Sequence, residues 1–146
     1  MKRQGIIPNF AEFIPDHIEE GVLYISEPYQ TAIHKCCCGC GEEVVTPFSP
    51  VDWQLLKGEK GVSLNPSIGN WNYKCQSHYF IRNNQVVWAG QMNSKEIQKV
   101  QCRDLQDKQN YIAHLNTSRD SNKNKRMEWL TSWLVSTVNW IKSLFK

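Results

Sequence analysis

Four of the six cysteines of this 146-residue chain lie in one short segment, Cys36-Cys37-Cys38-Gly39-Cys40. Adjacent cysteines cannot pair with one another without strain, because a disulfide requires suitably directed Cβ atoms. No apolar run follows Met1-Lys2-Arg3, so we expect no signal peptide and a reducing, cytoplasmic location. In that compartment clustered thiols typically hold a metal. The segment therefore predicts a metal centre, and zinc is the metal we expect.

The alternation of Cys36, Cys38 and Cys40 requires the backbone to bend. Along a straight strand, positions two residues apart are separated by about 6.6 Å. Zinc holds each thiolate sulfur at about 2.3 Å, so the thiols must converge. Gly39 and Gly41 permit the backbone angles that such a turn needs.

A tetrahedral site also needs a distant ligand, for which Cys75 is the obvious candidate. The spacing leaves three ligand sets open: Cys36, Cys38, Cys40 and Cys75; two thiols of the cluster with Cys75 and His78; or a pairing that uses Cys37 and Cys40. His34 precedes the cluster and could support the metal, act in catalysis or be structural. Cys102 is expected to be an ordinary small hydrophobic residue.

Composition and hydrophobic patterning predict a single small α+β fold. Hydrophobic residues make up 40% of the chain, which suffices for one core, and the net charge of +3 is too small to indicate nucleic-acid binding. Short apolar runs bounded by turn residues predict strands at 22–25, 43–46, 52–56, 62–64, 78–82 and 85–88. Asn83-Asn84 predicts a hairpin turn between the last two strands.

The remainder of the chain predicts two helices separated by a linker. Asn93 or Ser94 can cap a helix that ends near His114. We therefore expect a zinc-stabilised β-rich domain with its following helix at 1–114, a polar linker at 115–126 and an amphipathic helix at 127–146.

The amphipathic helix presents Trp129, Trp133 and Trp140 on one side. This face could cover the β-rich domain or pair with a second copy of the chain. It could instead lie in a membrane interface, which would make the protein peripheral to a membrane. A spanning helix is not expected, because Asn139 and Lys142 would then lie in hydrocarbon.

Seven segments carry a family likeness that covers roughly residues 10–113: 13–15, 21–26, 31–41, 44–53, 62–71, 75–82 and 86–88. They include Thr31-Ala32-x-His34-x-Cys36-x-Cys38-Gly39-Cys40-Gly41. The pattern resembles a bacterial cysteine-rich family of uncharacterised function that is encoded beside ubiquitin-like conjugation genes. The resemblance implies a peptidase that matures ubiquitin-like proteins or removes them from conjugates. Many relatives have proline where this chain has Cys37, which favours Cys36, Cys38, Cys40 and Cys75 as the ligands.

A serine mechanism suits the residues better than a zinc mechanism. A cysteine-rich centre is usually structural, and no HExxH motif is present. Ser67 lies in the turn-like segment Pro66–Asn70, with His78 as the best base, His34 as a second choice and Asp52 as a candidate to orient the histidine. Simpler interpretations are a turn serine and a metal-binding or structural histidine.

Two neighbours of Ser67 are candidate substrate-binding residues. Asn70 could donate to an oxyanion, and Trp71 could line a groove for an extended, glycine-rich tail, although a core tryptophan is the simpler interpretation. The alternative to a peptidase is a non-enzymatic zinc adaptor that binds a ubiquitin-like protein or its conjugating enzymes. A serine–histidine contact in a cleft would discriminate between the two functions.

Overall fold

The computed structural model describes the backbone of residues 1–144, and the side chains up to residue 129 apart from 122, 124 and 128. The chain divides into two compact units, Met1–Gln101 and Cys102–Lys146. The first unit contains all eight strands found among the described residues. The fold is therefore α+β, as the sequence predicts, with the strands concentrated in the first two thirds of the chain.

The first sheet has the strand order β1-β2-β3-β4. Its strands are β1 (Ile7–Phe10), β2 (Val22–Ser26), β3 (Thr31–Lys35) and β4 (Glu43–Pro47). β1 runs parallel to β2, and the other neighbours are antiparallel. The cysteine segment is thus the loop that joins β3 to β4.

The second sheet has the order β5-β6-β7-β8 and is antiparallel throughout. Its strands are β5 (Gln54–Gly58), β6 (Gly61–Gly69), β7 (His78–Arg82) and β8 (Gln85–Trp88). Asn83 and Asn84 both have positive φ, at 49° and 64°, and form the two-residue hairpin loop that the sequence predicts. The register of β6 against β7 is irregular between Leu64 and Ile68.

Alternating residues of both sheets meet in one hydrophobic core. Tyr79 and Ile81 of β7, with Leu23 and Ile25 of β2, are completely buried. On β7 the intervening residues His78 and Phe80 face outward and are half-buried. Burial of the inner face therefore determines that His78 is presented on the outer face of its sheet.

A single helix, α1 (Ser94–Leu144), follows the strands. Asn93 and Glu96 form reciprocal side-chain bonds at its start, at 2.8 and 3.0 Å, as in a capping box. The helix continues through residues 115–126, where the sequence analysis expects a linker. That segment is polar but contains neither proline nor glycine, so nothing in it interrupts the backbone hydrogen bonds. The apolar face predicted for 127–146 lies largely outside the described side chains.

No helix within the described part of the chain is both long enough and apolar enough to cross a membrane.

Replacing Leu64 by alanine tests the shared core. Leu64 is 2% exposed, so we expect Leu64→Ala to lower the free energy of unfolding by about 2–5 kcal/mol through lost burial and a residual cavity. Leu56→Ala on the neighbouring strand is the control, because Leu56 is 52% exposed and should cost far less. Urea denaturation of both variants measures the difference, and equal losses would contradict this description of the core.

Candidate active site and metal centre

The β6–β7 pair brings Ser67 and His78 into contact. His78 pairs directly with Gly69, and Ser67 precedes Gly69 by two residues, in the irregular part of β6. Ser67 Oγ and His78 Nε2 lie 3.0 Å apart, which is hydrogen-bonding distance. A hydroxyl and an imidazole eleven residues apart in sequence are therefore placed as a nucleophile and a base would be.

The second ring nitrogen of His78 indicates how this hydrogen bond is directed. Nδ1 lies 3.4 Å from the carbonyl oxygen of Gly90. A carbonyl can only accept, so Nδ1 must carry the proton for this contact to form. In the neutral ring Nε2 is then an acceptor, and Ser67 donates to it. This tautomer is the one that a general base at Ser67 requires.

Trp71 covers the same site. Its ring lies 5.0 Å from the His78 ring, at an interplanar angle of 60°. A Cβ at Gly69 would come within 2.3 Å of the indole, so only glycine leaves room for Trp71 in this position. Trp71 therefore shields one side of the histidine, as a groove wall would.

Asp52, the predicted orienting acid, lies in the turn between β4 and β5. Its Oδ2 accepts a hydrogen bond of 2.7 Å from Ser49 Oγ, and its backbone N–H donates to the Ser49 carbonyl. Asp52 therefore shapes this turn, and a role in orienting His78 stays a prediction. Gly90 supplies the observed contact on the Nδ1 side.

Four thiols converge where the β3–β4 loop meets the β6–β7 loop. The sulfur atoms of Cys36, Cys38, Cys40 and Cys75 all lie within 4.8 Å of one another. The separations from Cys36 to Cys38, from Cys40 to Cys75 and from Cys36 to Cys75 are 3.4, 3.7 and 4.0 Å. Tetrahedral bonds of 2.3 Å would separate sulfur atoms by about 3.8 Å. The four cysteines can hold a metal ion, and the geometry is consistent with zinc.

Two polar side chains from the β6–β7 loop approach these sulfurs. Ser77 Oγ lies 3.1 Å from Cys36 Sγ, and Asn70 Nδ2 lies 3.5 Å from the same atom. Asn70 Nδ2 also donates to Ser77 Oγ at 2.9 Å, and Asn70 is only 8% exposed. The Asn70 amide thus lies with the thiols. Donation to an oxyanion at Ser67 stays a prediction, which these contacts do not favour.

Cys37 points away from the cluster into the core. It is completely buried, and burial raises the pKa of its thiol to about 11. Its sulfur is not among the four that converge, and the side chain packs in the hydrophobic core, where a substrate cannot reach it. Cys36, Cys38 and Cys40 therefore direct their thiols to the cluster, whereas Cys37 directs its thiol into the core.

His34 belongs to the interior. It is completely buried, its Nε2 lies 2.8 Å from the Tyr79 hydroxyl, and burial lowers the pKa of the imidazole to about 4. The ring is therefore neutral at physiological pH and inaccessible to substrate. Of the interpretations considered for His34, these contacts favour a structural histidine.

Two groups of the site were not singled out from sequence. Gly90 contributes only a carbonyl oxygen, which any residue would supply, so no sequence signal marks it. Ser77 bonds to the cysteine cluster rather than to the histidine beside it. Its proximity to Cys75 in the chain was the available signal, because strand alternation directs Ser77 and His78 to opposite faces.

Metal analysis tests the four-cysteine centre. We expect about one bound metal ion per chain in protein purified without chelator, and its loss in Cys75→Ser, because serine replaces a soft thiolate ligand. Cys102→Ser is the matched control, since Cys102 is exposed on α1 and should leave the metal content unchanged. Elemental mass spectrometry reads the stoichiometry, and full occupancy in Cys75→Ser would exclude this ligand set.

No curated protein and no solved structure matches the chain. Residues 10–89 match the family described as bacterial ubiquitination-like system serine protease, BubE. That segment contains Ser67, His78 and all four converging cysteines, and it accounts for most of the resemblance seen in the sequence. The chain belongs to the BubE family of bacterial ubiquitination-like system serine proteases.

Proposed function

We propose that the chain is a serine-type peptidase that matures ubiquitin-like proteins or removes them from conjugates, with Ser67 as nucleophile and His78 as general base. The observation that carries this proposal is the 3.0 Å contact between Ser67 Oγ and His78 Nε2 on the outer face of β6 and β7. The family description supplies the reaction class and the kind of system in which it acts.

The reaction would proceed through an acyl-enzyme. Ser67 Oγ attacks the carbonyl carbon at the end of the ubiquitin-like tail while Nε2 of His78 takes the hydroxyl proton. The protonated imidazole then gives this proton to the leaving group as the scissile bond breaks. A water molecule, deprotonated by Nε2, attacks the ester, and Ser67 recovers its proton. The Gly90 carbonyl holds Nδ1–H throughout and keeps the ring oriented.

Zinc is the metal proposed for the four-cysteine centre. Four thiolates complete a tetrahedral shell and leave no position for a reactive water, which is typical of structural sites. Such an ion would supply rigidity. Cys75 lies three residues before His78, so the centre would fix the loop that leads into β7.

The hydrogen bonds of this loop explain how a bound metal would stabilise the position of the Ser67–His78 pair. Asn70 and Ser77 are joined twice, by a backbone bond of 2.9 Å from Asn70 N to Ser77 O and by the side-chain bond of 2.9 Å. Gly69 and His78 lie immediately outside this closure and pair with each other. A metal that holds the loop therefore also supports the register that places His78 against Ser67.

Ser67→Ala tests the nucleophile. We expect it to abolish cleavage of the ubiquitin-like protein encoded nearest the gene, extended by a C-terminal tail, because the attacking oxygen is removed. Ser63→Ala is the control, since Ser63 lies on the same strand and bonds to the Asn83 N–H instead. Intact-mass spectrometry reads cleavage, and metal content verifies folding. Wild-type protein that binds the substrate without cleaving it would favour the adaptor function.

Trp71→Ala tests the groove wall. We expect kcat/KM to fall by roughly tenfold, because one well-packed aromatic contact is worth about 1 kcal/mol or more. Trp71→Phe should retain most activity, since an aromatic ring still covers His78. Steady-state cleavage kinetics measure both variants, and an unaffected Trp71→Ala would remove Trp71 from the site.

A further inference from the structure

The outer edge of β4 has hydrogen-bonding groups that its own sheet does not use. β4 ends the strand order β1-β2-β3-β4 and pairs only with β3. The bonds from Cys36 N to Glu42 O and from Phe48 N to Gln30 O fix the alternation of this ladder. By that alternation the backbone groups of Val44 and Thr46 face β3, whereas those of Val45 point away from it.

The neighbouring outward carbonyls are already taken. Glu43 O accepts a 2.6 Å bond from the Tyr73 hydroxyl, and Pro47 O accepts a 3.1 Å bond from Trp53 N. Between them the N–H and C=O of Val45 have no partner among the described residues. Val45 is also 53% exposed. The edge therefore offers the Val45 donor and acceptor side by side, between two carbonyl groups that are already bonded.

A cavity of about 180 Å³ lies along this edge. Val45 and Trp53 line one part of it, and Gly69, Trp71 and Tyr73 line another. Gly69 and Trp71 are the residues that contact the catalytic histidine, so the cavity adjoins the Ser67–His78 site. The Trp53 indole N–H is buried and lacks an acceptor among the described residues. The cavity thus lies between an open strand edge and two residues that contact His78, and Trp53 is part of its lining.

We infer that this cleft binds the C-terminal tail of the ubiquitin-like substrate as an added β-strand on the Val45 edge of β4. The inference rests on the proposed peptidase function and specifies how its substrate is held. An extended main chain supplies both a carbonyl and an N–H to Val45, the pairing that strand addition uses. A narrow cleft walled by Trp71 and Tyr73 selects a tail with small side chains.

Val45→Pro tests the inference. Proline removes the outward N–H and places its ring where the incoming strand would lie, but it leaves the β3 ladder intact, as edge positions allow. We expect a rise in KM and a fall in kcat/KM of about tenfold or more, the size of effect expected when a hydrogen bond is lost and a clash is added. Val45→Thr keeps the amide and the branched shape, and should stay within about twofold of wild type. Thermal unfolding and metal content must be alike in the two variants.

Amide hydrogen exchange provides a second measurement that does not depend on cleavage. In Ser67→Ala, addition of the ubiquitin-like protein with its tail should slow exchange at Val45, and the tail-truncated protein should not. Cleavage by wild type together with unchanged kinetics in Val45→Pro and no protection at Val45 would overturn the inference and leave the proposed function standing.

Other outcomes distinguish the proposed peptidase function from the inferred binding of the tail to β4. If wild type does not cleave, the proposed function fails, and tail-dependent protection of Val45 alone decides whether the cleft holds the tail. Protection of Val45 that grows with protein concentration in the absence of substrate would mean that a second copy of the chain covers the edge, which would overturn the inference.

Discussion

Two hydrogen bonds between Asn70 and Ser77 hold together the loop that carries both the cysteine contacts and the Ser67–His78 contact. They join the end of β6 to the start of β7 as a backbone bond and a side-chain bond, both of 2.9 Å. On the inner side of the loop the same two residues approach Cys36 Sγ. On its outer side lies the pair Gly69–His78, with Ser67 two residues earlier on β6. One eight-residue loop therefore connects four thiols that can hold a metal ion to a serine–histidine contact.

Strand alternation places the buried, thiol-facing side chains and the Ser67–His78 contact on opposite faces of β7. Ser77 and Tyr79 point inward, where burial keeps His34 neutral and Cys37 protonated. His78, between them, points outward and meets Ser67. Because neighbouring residues of a strand face opposite sides, the interior can be desolvated while the Ser67–His78 contact lies on the outer face of the sheet. The open β4 edge would extend the outer site toward an incoming tail in the binding mode inferred above.

Much of the fold is encoded locally. The strands β4, β7 and β8 were predictable because they bury alternate residues, and β2 because it is a continuous apolar run that is buried almost throughout. The Asn83-Asn84 turn was predictable because it requires positive φ. β1 and β3 were not, since their short sequences mix apolar and polar residues and become strands by pairing with β2 and, for β3, also with β4. The helix through residues 115–126 was also missed, because polar composition was taken as the mark of a linker although no helix-breaking residue is present.

The sequence by itself determined which residue types are available: a cysteine segment whose spacing requires the backbone to bend, candidate serine and histidine residues for acyl transfer, and a family pattern that implies the reaction class. Only the tertiary structure decided which atoms each of these side chains contacts. It placed the Gly90 carbonyl beside Nδ1 of His78, directed Asn70 to the thiols, and left Val45 at an open edge. The physical reason is that residue types fix which bonds can form, whereas strand register and burial fix which atoms actually meet.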